Sequence, residues 1–200
     1  MMPWIAVLAA YLVGAIPFGY LLVRWKTGGD VREKGSGNIG ATNVLRTTGR
    51  TAGFATLLLD IAKGVFAVWL ADKLSDGSAV WMSLAALAVM AGHAFPVFLK
   101  FHGGKAVASF IGAFLYLMPV PMIAALVLFV IVVASTRQIS VGSIVAAGAL
   151  PLAAWIIEHP PWIEVAAALA AGVFIIVRHR ANIERIRAGT ENVLNLGRSR

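Results

Sequence analysis

The sequence contains no cysteine and has few charged residues. Of its 200 residues, 13% are charged and 60% are hydrophobic, and the mean hydropathy is +0.84. A soluble domain carries roughly 25% charged residues, so this composition excludes an ordinary soluble domain. It predicts a polytopic all-α integral membrane protein with a single membrane-embedded domain over residues 1–200. The absence of cysteine excludes disulfides and cysteine-ligated metals.

Several catalytic signatures are also absent from the sequence. There is no Gly-x-Ser-x-Gly elbow, no complete Walker motif, no carboxylate pair suited to glycoside hydrolysis, and no histidine and carboxylate cluster with metal-site spacing. We therefore expect a site without a metal or other cofactor. The formal net charge is +8. In a membrane protein such a surplus reflects topology and contact with anionic headgroups, so nucleic acid is not an expected partner.

The apolar runs predict the membrane spans. A bilayer core of about 30 Å needs roughly 20 helical residues. The run 106–134 has Pro119 and Pro121 at its middle, so it forms either one long kinked helix or two short spans. With two short spans, the chain has seven, at about 3–23, 52–71, 79–99, two within 106–134, 141–157 and 162–177.

The positions of the basic residues decide between six and seven spans. With seven spans, 15 of the 17 Lys and Arg residues lie on one side of the membrane, and the exceptions are Lys63 and Lys73. With six spans, the arginine-rich C-terminus falls outside and the acidic Glu158 and Glu164 fall inside. Because cytoplasmic loops are rich in Lys and Arg, the count favours seven spans, with the N-terminus outside and the C-terminus cytoplasmic.

The first two spans contain unusual residues. Gly14 and Pro17 in the first span predict a bend or a close helix contact. The basic residues of this span follow it rather than precede it, which favours a retained span over a cleaved signal peptide. Asp60 and Lys63 lie on one face of the second span, where ionisable groups are costly. They either neutralise each other and lock the helix packing, or support and orient the polar loops without contacting a ligand.

The first of three polar stretches covers residues 35–46. It contains three glycines, two asparagines, two hydroxyl side chains and Arg46. Glycines let the backbone approach a ligand, and free N–H groups in such turns bind anions. The stretch is therefore either a loop that cups a phosphate, with Arg46 as its bidentate partner, or a loop of ordinary turn formers. Ser36 has no nearby general base in the sequence, which disfavours a covalent acyl-serine.

The second polar stretch covers residues 92–109. Gly103, Gly104 and Lys105 precede the fourth apolar run, so we expect free N–H groups and the positive end of a helix dipole beside the lysine. This pattern favours an anion site over a glycine hinge with a lysine that reaches the headgroups. His93 is either a buried hydrogen-bonding residue or a site residue.

The third polar stretch covers residues 178–191. His179 lies between two arginines, which disfavour a protonated ring, so we expect a neutral donor or acceptor near phosphate, or a contact with lipid headgroups. Ile183 and Ile186 share a face, which predicts a short interfacial helix. With seven spans, all three polar stretches lie at the cytoplasmic face, which indicates a composite site there.

These stretches resemble the motifs of a known family. The matching patterns are Gly35-Ser36-Gly37-Asn38-x-Gly40-Ala41-Thr42-Asn43-x-x-Arg46, Leu59-Asp60-x-x-Lys63-Gly64, Gly92-His93-x-x-Pro96-x-Phe98-x-x-Phe101-x-Gly103-Gly104-Lys105-x-Val107-Ala108 and Arg178-His179-Arg180-x-Asn182-Ile183-x-Arg185. Together they resemble the bacterial acyl-phosphate:glycerol-3-phosphate acyltransferases, the PlsY family, over essentially the whole chain. Two departures are Ala106, where glycine often follows the lysine, and Ser109, where threonine is common.

The resemblance implies a seven-helix fold and a lipid-synthesis reaction. A fatty acyl group passes from acyl phosphate to the 1-hydroxyl of sn-glycerol 3-phosphate, giving lysophosphatidic acid and phosphate, the first acylation step of phospholipid synthesis. The expected location is the bacterial cytoplasmic (inner) membrane, multi-pass, with the active site at the cytoplasmic face. The expected partners are acyl phosphate, glycerol 3-phosphate and membrane lipid, and contacts with other lipid-synthesis enzymes are left open.

The resemblance also implies the site residues. Those expected in catalysis are Ser36, Arg46, Lys105, His179 and Asn182. Those expected to bind substrate are Gly35, Gly37, Asn38, Thr42, Asn43, His93, Gly103, Gly104 and Ser109. We expect Lys105 and backbone N–H groups to hold the donor phosphate, and Arg46, His179 and Asn182 to hold glycerol 3-phosphate. The donor's own phosphate then accepts the proton.

A small membrane transporter of an anionic metabolite is the alternative function. A transport path needs polar groups through the membrane midplane, and only Asp60 and Lys63 lie well inside a predicted span. Among acyltransferases, those that use acyl-CoA pair a histidine with an aspartate five positions on. Here His179 is followed by Glu184 at that spacing, which disfavours the acyl-CoA class.

Overall fold

The computed structural model describes residues 2–194, and every regular element in that range is helical. The α-helices in this range are α1 (Trp4–Ala15), α2 (Phe18–Thr27), α3 (Ala41–Thr48), α4 (Arg50–Ser75), α5 (Ala79–Ala94), α6 (Val107–Leu117), α7 (Pro119–Thr136), α8 (Ile139–Ile157), α9 (Trp162–Arg178) and α10 (Arg180–Arg187). Short 3₁₀ helices cover Val31–Glu33 and Val97–Leu99. The predicted all-α class is confirmed.

The chain divides into two units, Met1–Leu117 and Met118–Arg200. The first unit contains α1 to α6 and two of the three polar stretches. The second contains α7 to α10 and the third stretch. A single functional domain over residues 1–200 stays a prediction.

The first apolar run is interrupted at Pro17. Proline has no N–H and disfavours a helical conformation in the residue before it, and Ile16 is accordingly extended, with φ −63° and ψ 113°. Gly14 provides the close helix contact, because a Cβ at this position would collide with the backbone carbonyl of Val89 in α5. The sequence predicts a bend or a close helix contact in this part of the span, and the structure has both.

Helices α4 and α6 approach each other almost backbone to backbone. A Cβ at Gly64 in α4 would collide with the carbonyl oxygen of Ser109, and a Cβ at Gly112 in α6 would collide with that of Ile61. Lys105 lies just before α6, so this contact between glycines and backbone fixes the start of α6 against α4.

The long apolar run 106–134 is two helices. Helix α6 ends at Leu117, and α7 begins at Pro119, a favourable residue for a first helical position because its missing N–H would have no partner there. The break lies at the prolines in the middle of the run, and the two membrane spans that the charge pattern favours stay a prediction. With 11 residues, α6 is about 17 Å long, well short of a bilayer core of about 30 Å, so its crossing of the membrane stays a prediction.

In the second unit, α8 packs against both α7 and α9. Gly142 in α8 gives room to the ring of Phe129 in α7, and Gly172 in α9 approaches the carbonyl oxygen of Ala147. Helices α9 and α10 meet at His179 with a bend of 58°. The predicted short C-terminal helix is therefore present as α10, and its location at the membrane interface stays a prediction.

Five helical segments within the described residues are long and apolar enough to cross a membrane. They are Trp4–Thr27, Arg50–Ser75, Ala79–Leu99, Pro119–Thr136 and Ile139–Ile157, and the bent pair α9 and α10 brings the number to six when it is taken as one span. A multi-pass membrane protein follows from these segments.

Candidate functional site

Asn43 organises the loop of residues 35–46 from within. Its side chain is buried, with 2% of its surface exposed. Its Oδ1 accepts a hydrogen bond from the Ser36 N–H at 2.9 Å, and its Nδ2 donates to the carbonyl oxygens of Asn38 at 2.8 Å and Lys34 at 3.1 Å. Both ends of the amide thus bind loop backbone, which gives Asn43 a structural role. Its contact with substrate stays a prediction.

Two glycines give this loop its shape. Gly35 and Gly37 have φ of 61° and 68°, in the left-handed region that side chains rarely adopt. A Cβ at Gly35 would also collide with Oδ1 of Asn43. Gly35 therefore lets Asn43 reach the Ser36 amide, while the side chains of Ser36 and Arg46 remain exposed.

The loop leads directly into α3. The Gly40 N–H donates to Oδ1 of Asn38 at 2.8 Å, which turns the chain into the helix. Gly40 itself is the N-cap and has no side chain to bond the first helical amides. The amides at the start of α3, including that of the half-buried Thr42, therefore lie at the positive end of the helix, which is the part of this loop best suited to an anion.

The Gly103-Gly104-Lys105 turn differs from its prediction. The Gly103 N–H donates to the carbonyl oxygen of Ala94 at 3.2 Å, and the Gly104 N–H donates to that of His93 at 3.1 Å. We expected these two N–H groups to be free for phosphate, and that expectation is wrong. They bond the last carbonyls of α5, which have no partners within their own helix, so the glycines hold the turn in place. Lys105 is half-buried.

His93 is buried and contacts the segments on both sides of Lys105. Its ring packs against Gly104, where a Cβ would collide with Nε2. Its Nδ1 lies 3.4 Å from Oγ of Ser109, in the first turn of α6, and 3.6 Å from Oδ1 of Asp60. His93 and Ser109 are thus brought together with the lysine turn, as part of its support.

Ala106, which directly follows Lys105, has φ 62° and is fully buried. This left-handed conformation costs an L-residue roughly 1–2 kcal/mol. It occurs at the position where the resembling family often has glycine. The departure noted in the sequence therefore coincides with a backbone position that favours glycine.

In the second unit, the hydrogen bond at Nδ1 fixes the tautomer of His179. The residue joins α9 to α10 and is 3% exposed. Its Nδ1 lies 2.7 Å from the carbonyl oxygen of Ile175. A carbonyl only accepts, so Nδ1 carries the proton. In the neutral ring Nε2 is then an acceptor. The neutral ring expected between the two arginines therefore has its acceptor at Nε2.

Asn182 is bound to a residue that the sequence reading missed. Its Nδ2 donates to Oε1 of Glu191 at 2.7 Å. The same carboxylate accepts from Oγ of Ser140 at 2.8 Å and from Nε of Arg185 at 2.8 Å. Burial opposes ionisation of Glu191, but these hydrogen bonds outweigh burial and lower its pKa. The available signal was an acidic residue directly after a strongly basic segment.

The structure thus brings the predicted residues together in three groups. Asn38, Asn43 and the Ser36 amide share one network in the loop. His93, Gly103, Gly104 and Ser109 form a second, around Lys105. The third consists of the neighbours His179 and Asn182, the latter bonded to Glu191. A common membrane face for the three groups stays a prediction. Within residues 2–194, no set of three or more His, Asp or Glu side chains is arranged to hold a metal.

Known proteins are similar to this chain in sequence and in fold. A model of the glycerol-3-phosphate acyltransferase family matches residues 4–189. A glycerol-3-phosphate acyltransferase of Geobacter sulfurreducens is 50% identical over 183 residues, which cover 92% of this chain and 93% of the relative. One of Trichlorobacter lovleyi is 48% identical over 191 residues, which cover 94% of this chain and 95% of the relative.

Two solved structures of one integral membrane protein also match. The crystal structure of PlsY, an integral membrane glycerol 3-phosphate acyltransferase, superposes in its glycerol 3-phosphate form with a TM-score of 0.91 and 34% identity. Its lysophosphatidic acid form gives a TM-score of 0.89 and 33% identity. Each covers 98% of this chain and 96% of the solved chain. This protein belongs to the glycerol-3-phosphate acyltransferase family.

Proposed function

We propose that this protein transfers a fatty acyl group from acyl phosphate to the 1-hydroxyl of sn-glycerol 3-phosphate. The products are lysophosphatidic acid and inorganic phosphate. One observation carries most of the argument: the chain matches, over 98% of its length, a protein whose structure is known in a glycerol 3-phosphate form and in a lysophosphatidic acid form. These are the acceptor substrate and the product of this reaction.

The acceptor and the donor both carry phosphate, and the site residues divide between them. Arg46, His179 and Asn182 bind glycerol 3-phosphate, with Ser36 as a hydrogen-bonding group. Lys105 binds the phosphate of the donor. Because the Gly103 and Gly104 amides bond α5 carbonyls, the backbone share of this binding falls to the first amides of α6, which lie at the positive end of that helix.

The chemistry follows from the positions of these groups. The 1-hydroxyl oxygen attacks the carbonyl carbon of the donor, and the bond between that carbon and the bridging phosphate oxygen breaks. The leaving phosphate takes the hydroxyl proton. Alignment of the two substrates supplies much of the rate, and Lys105 stabilises the charge that develops on the phosphate.

His179 orients the acceptor hydroxyl rather than acting as the base. Its Nδ1 donates to the Ile175 carbonyl, and in the neutral ring that the flanking arginines favour, Nε2 accepts the hydroxyl hydrogen bond. A protonated ring would instead be a second donor and would favour the phosphate. Acceptance of a hydroxyl hydrogen bond therefore assigns His179 to the glycerol end of the substrate.

The proposed setting is the bacterial cytoplasmic membrane, with seven spans, the N-terminus outside and the site at the cytoplasmic face. The basic residues support this arrangement because seven spans put 15 of the 17 Lys and Arg residues on the cytoplasmic side. The acyl chain of the donor lies in lipid-like surroundings between helices.

A donor comparison tests this function. The purified protein in detergent receives labelled glycerol 3-phosphate with acyl phosphate or with acyl-CoA at equal concentration. We expect lysophosphatidic acid from acyl phosphate and none from acyl-CoA. Product from acyl-CoA alone, or from neither donor with a folded protein, would contradict the proposal. Uptake of glycerol 3-phosphate into sealed vesicles without acylation would instead favour the transporter.

A further inference from the structure

A buried charged cluster lies within the first unit, on α4 and α5. Asp60 is 2% exposed, and Lys63 and His93 are each 4% exposed. Lys63 Nζ is 2.7 Å from Oδ1 of Asp60 and donates to the carbonyl oxygen of Ile16 at 3.0 Å. Ile16 precedes Pro17, where the first apolar run breaks. The pair therefore joins α4 to the break between α1 and α2.

The same carboxylate oxygen also faces the histidine. His93 Nδ1 is 3.6 Å from Oδ1 of Asp60, too long for a hydrogen bond. Within the described part of the chain, this oxygen has no well-aligned hydrogen-bond partner. Its contacts with Lys63 and His93 are therefore mainly electrostatic, and in a buried site such attraction is strong. A negative charge beside Nδ1 favours a proton on that nitrogen and so selects the orientation of the ring.

The orientation of His93 bears directly on the lysine turn. The His93 carbonyl accepts from the Gly104 N–H, and the ring packs on the same glycine. Nδ1 also lies within reach of Ser109 Oγ. Gly104 immediately precedes Lys105, and Ser109 follows it by one helical turn. A rotation of the His93 ring would therefore move the backbone on both sides of Lys105.

We propose that Asp60 is a positioning residue that acts through His93 to hold the Lys105 turn at the donor phosphate. Asp60 contacts no substrate in this role. If Asp60 served only to neutralise Lys63, replacing both residues by neutral ones together would leave activity unchanged. If it also orients His93, its charge is needed even when Lys63 is replaced by a neutral residue. This inference rests on the proposed acyl transfer and assigns Asp60 a part in it.

A double variant separates the two roles. Asp60→Asn leaves the Lys63 charge buried without a partner, so we expect a lower melting temperature in detergent and little product. Asp60→Asn combined with Lys63→Met removes both charges, so the melting temperature should recover. The kcat/KM for acyl phosphate should nevertheless stay roughly 100-fold below that of the wild type, mainly through KM.

Two other outcomes of the double-variant experiment would each overturn the proposal. Recovery of both melting temperature and kcat/KM in the double variant means that Asp60 only neutralises Lys63, which overturns the proposal. A double variant that stays destabilised means that Asp60 serves the fold itself, which overturns it too. Asp72→Asn is the matched control, since Asp72 also lies on α4 and accepts a hydrogen bond from Tyr116 at 2.8 Å. We expect the kcat/KM of this control to be unchanged.

The wild type in the same assay keeps the two proposals apart. Wild-type protein that forms no lysophosphatidic acid from acyl phosphate defeats the proposed function. An active wild type with an equally active double variant defeats only the role of Asp60.

Discussion

The two glycine-rich segments of the first unit are held in different ways. The loop of residues 35–46 is held by its own Asn43, whose partners all lie within 12 residues along the chain. The turn at Gly103 and Gly104 is held by the end of α5 and by His93, with Asp60 behind it. Asp60 is more than 40 residues away from that turn in the sequence.

The loop of residues 35–46 is thus shaped largely by contacts near in the sequence, and the turn at Gly103 and Gly104 by contacts between helices. Local hydrogen bonds and left-handed glycines keep the Ser36 end of the loop of residues 35–46 in shape, while Ile39 and Val44 pack in a cluster with Val23 and Ala52. The turn before α6 keeps its shape only while α4, α5 and α6 are packed, because its bonds and its charge partner come from those helices. Perturbations of the helix core should therefore reach Lys105 and leave Ser36 in place.

The largest effect should come from the two cations. Lys105→Ala and Arg46→Ala should each reduce kcat/KM by about 10²–10³-fold, because each removes a charge that we propose binds a substrate phosphate. For Lys105 this is also the phosphate on which charge develops. The KM for acyl phosphate should rise in the Lys105 variant, and the KM for glycerol 3-phosphate in the Arg46 variant. Steady-state kinetics with each substrate varied in turn measures both.

Neighbouring basic residues provide the controls for this pair. Lys100→Ala and Arg50→Ala replace exposed residues and should leave both KM values near those of the wild type. Near-normal kcat/KM in either the Lys105 or the Arg46 variant contradicts the role assigned to that residue.

The next effect should come from Asn43→Ala. It leaves the Ser36 amide and the loop carbonyls without their partner and should lower the free energy of unfolding by about 1–3 kcal/mol. Activity should fall with it because the loop loses its shape. Hydrogen exchange should speed up at Ser36 and stay unchanged at Gly103 and Gly104.

The exposed Asn192→Ala is the control for this change. Faster exchange at both segments would mean that the two are not independently held.

A smaller effect should come from Gly104→Ala. The added methyl group collides with the His93 ring, so we expect about a tenfold rise in the KM for acyl phosphate. In a protein that also carries Asp60→Asn and Lys63→Met, Gly104→Ala should raise this KM by a smaller factor than it does alone, because the effects of contacting residues are coupled.

Gly37, in the loop of residues 35–46, has a left-handed φ of 68°. The effect of Gly37→Ala on kcat/KM should add to that of the Asp60→Asn and Lys63→Met pair. If the effects of Gly104→Ala and of the Asp60→Asn and Lys63→Met pair on KM are additive, Asp60 does not act on the Lys105 turn through His93.

The smallest effect should come from Asp30, at the entrance to the loop of residues 35–46. Hydrogen bonds from Arg32, with the guanidinium 2.6 Å away, hold the pKa of Asp30 below its usual range. The stabilisation is present above the unfolded pKa of about 3.9 and is lost as pH falls through the lower folded pKa. For a partly exposed pair it should be below about 1 kcal/mol.

Thermal unfolding between pH 7 and pH 3 measures this contribution. Asp30→Asn should be slightly less stable than the wild type at pH 7, and the difference should shrink toward the acid end. A difference that grows as pH falls contradicts the predicted direction.

Sequence patterns predicted what depends on hydropathy, charge and local turn chemistry. The break at Pro17, the close contact at Gly14 and the split of the run 106–134 follow from such signals, and the structure has all three. The bonding of the Gly103 and Gly104 amides did not follow, because it depends on where α5 ends in space. Glu191 was missed although two of its partners, Asn182 and Arg185, are near it in the sequence, and only Ser140 is distant.

The contacts of Asp60 are only partly predictable from the sequence. Its spacing from Lys63 predicted a shared helix face, and the ion pair is present. The third partner, His93, lies on another helix, and no periodicity within α4 indicates it. Pairings between helices are set by close approaches such as those at Gly64 and Gly112, which the sequence shows only as isolated glycines.

Isotope labelling of the donor tests whether the acyl group passes from acyl phosphate to glycerol 3-phosphate by attack at the acyl carbon. The donor carries ¹⁸O at the oxygen that bridges carbon and phosphorus, and products are analysed by mass spectrometry. We predict equal amounts of 1-acyl lysophosphatidic acid and phosphate, with the label entirely in the phosphate. Phosphate released without lysophosphatidic acid would contradict acyl transfer to glycerol 3-phosphate, and label retained in the lipid would contradict breakage of the bond between the acyl carbon and the bridging oxygen.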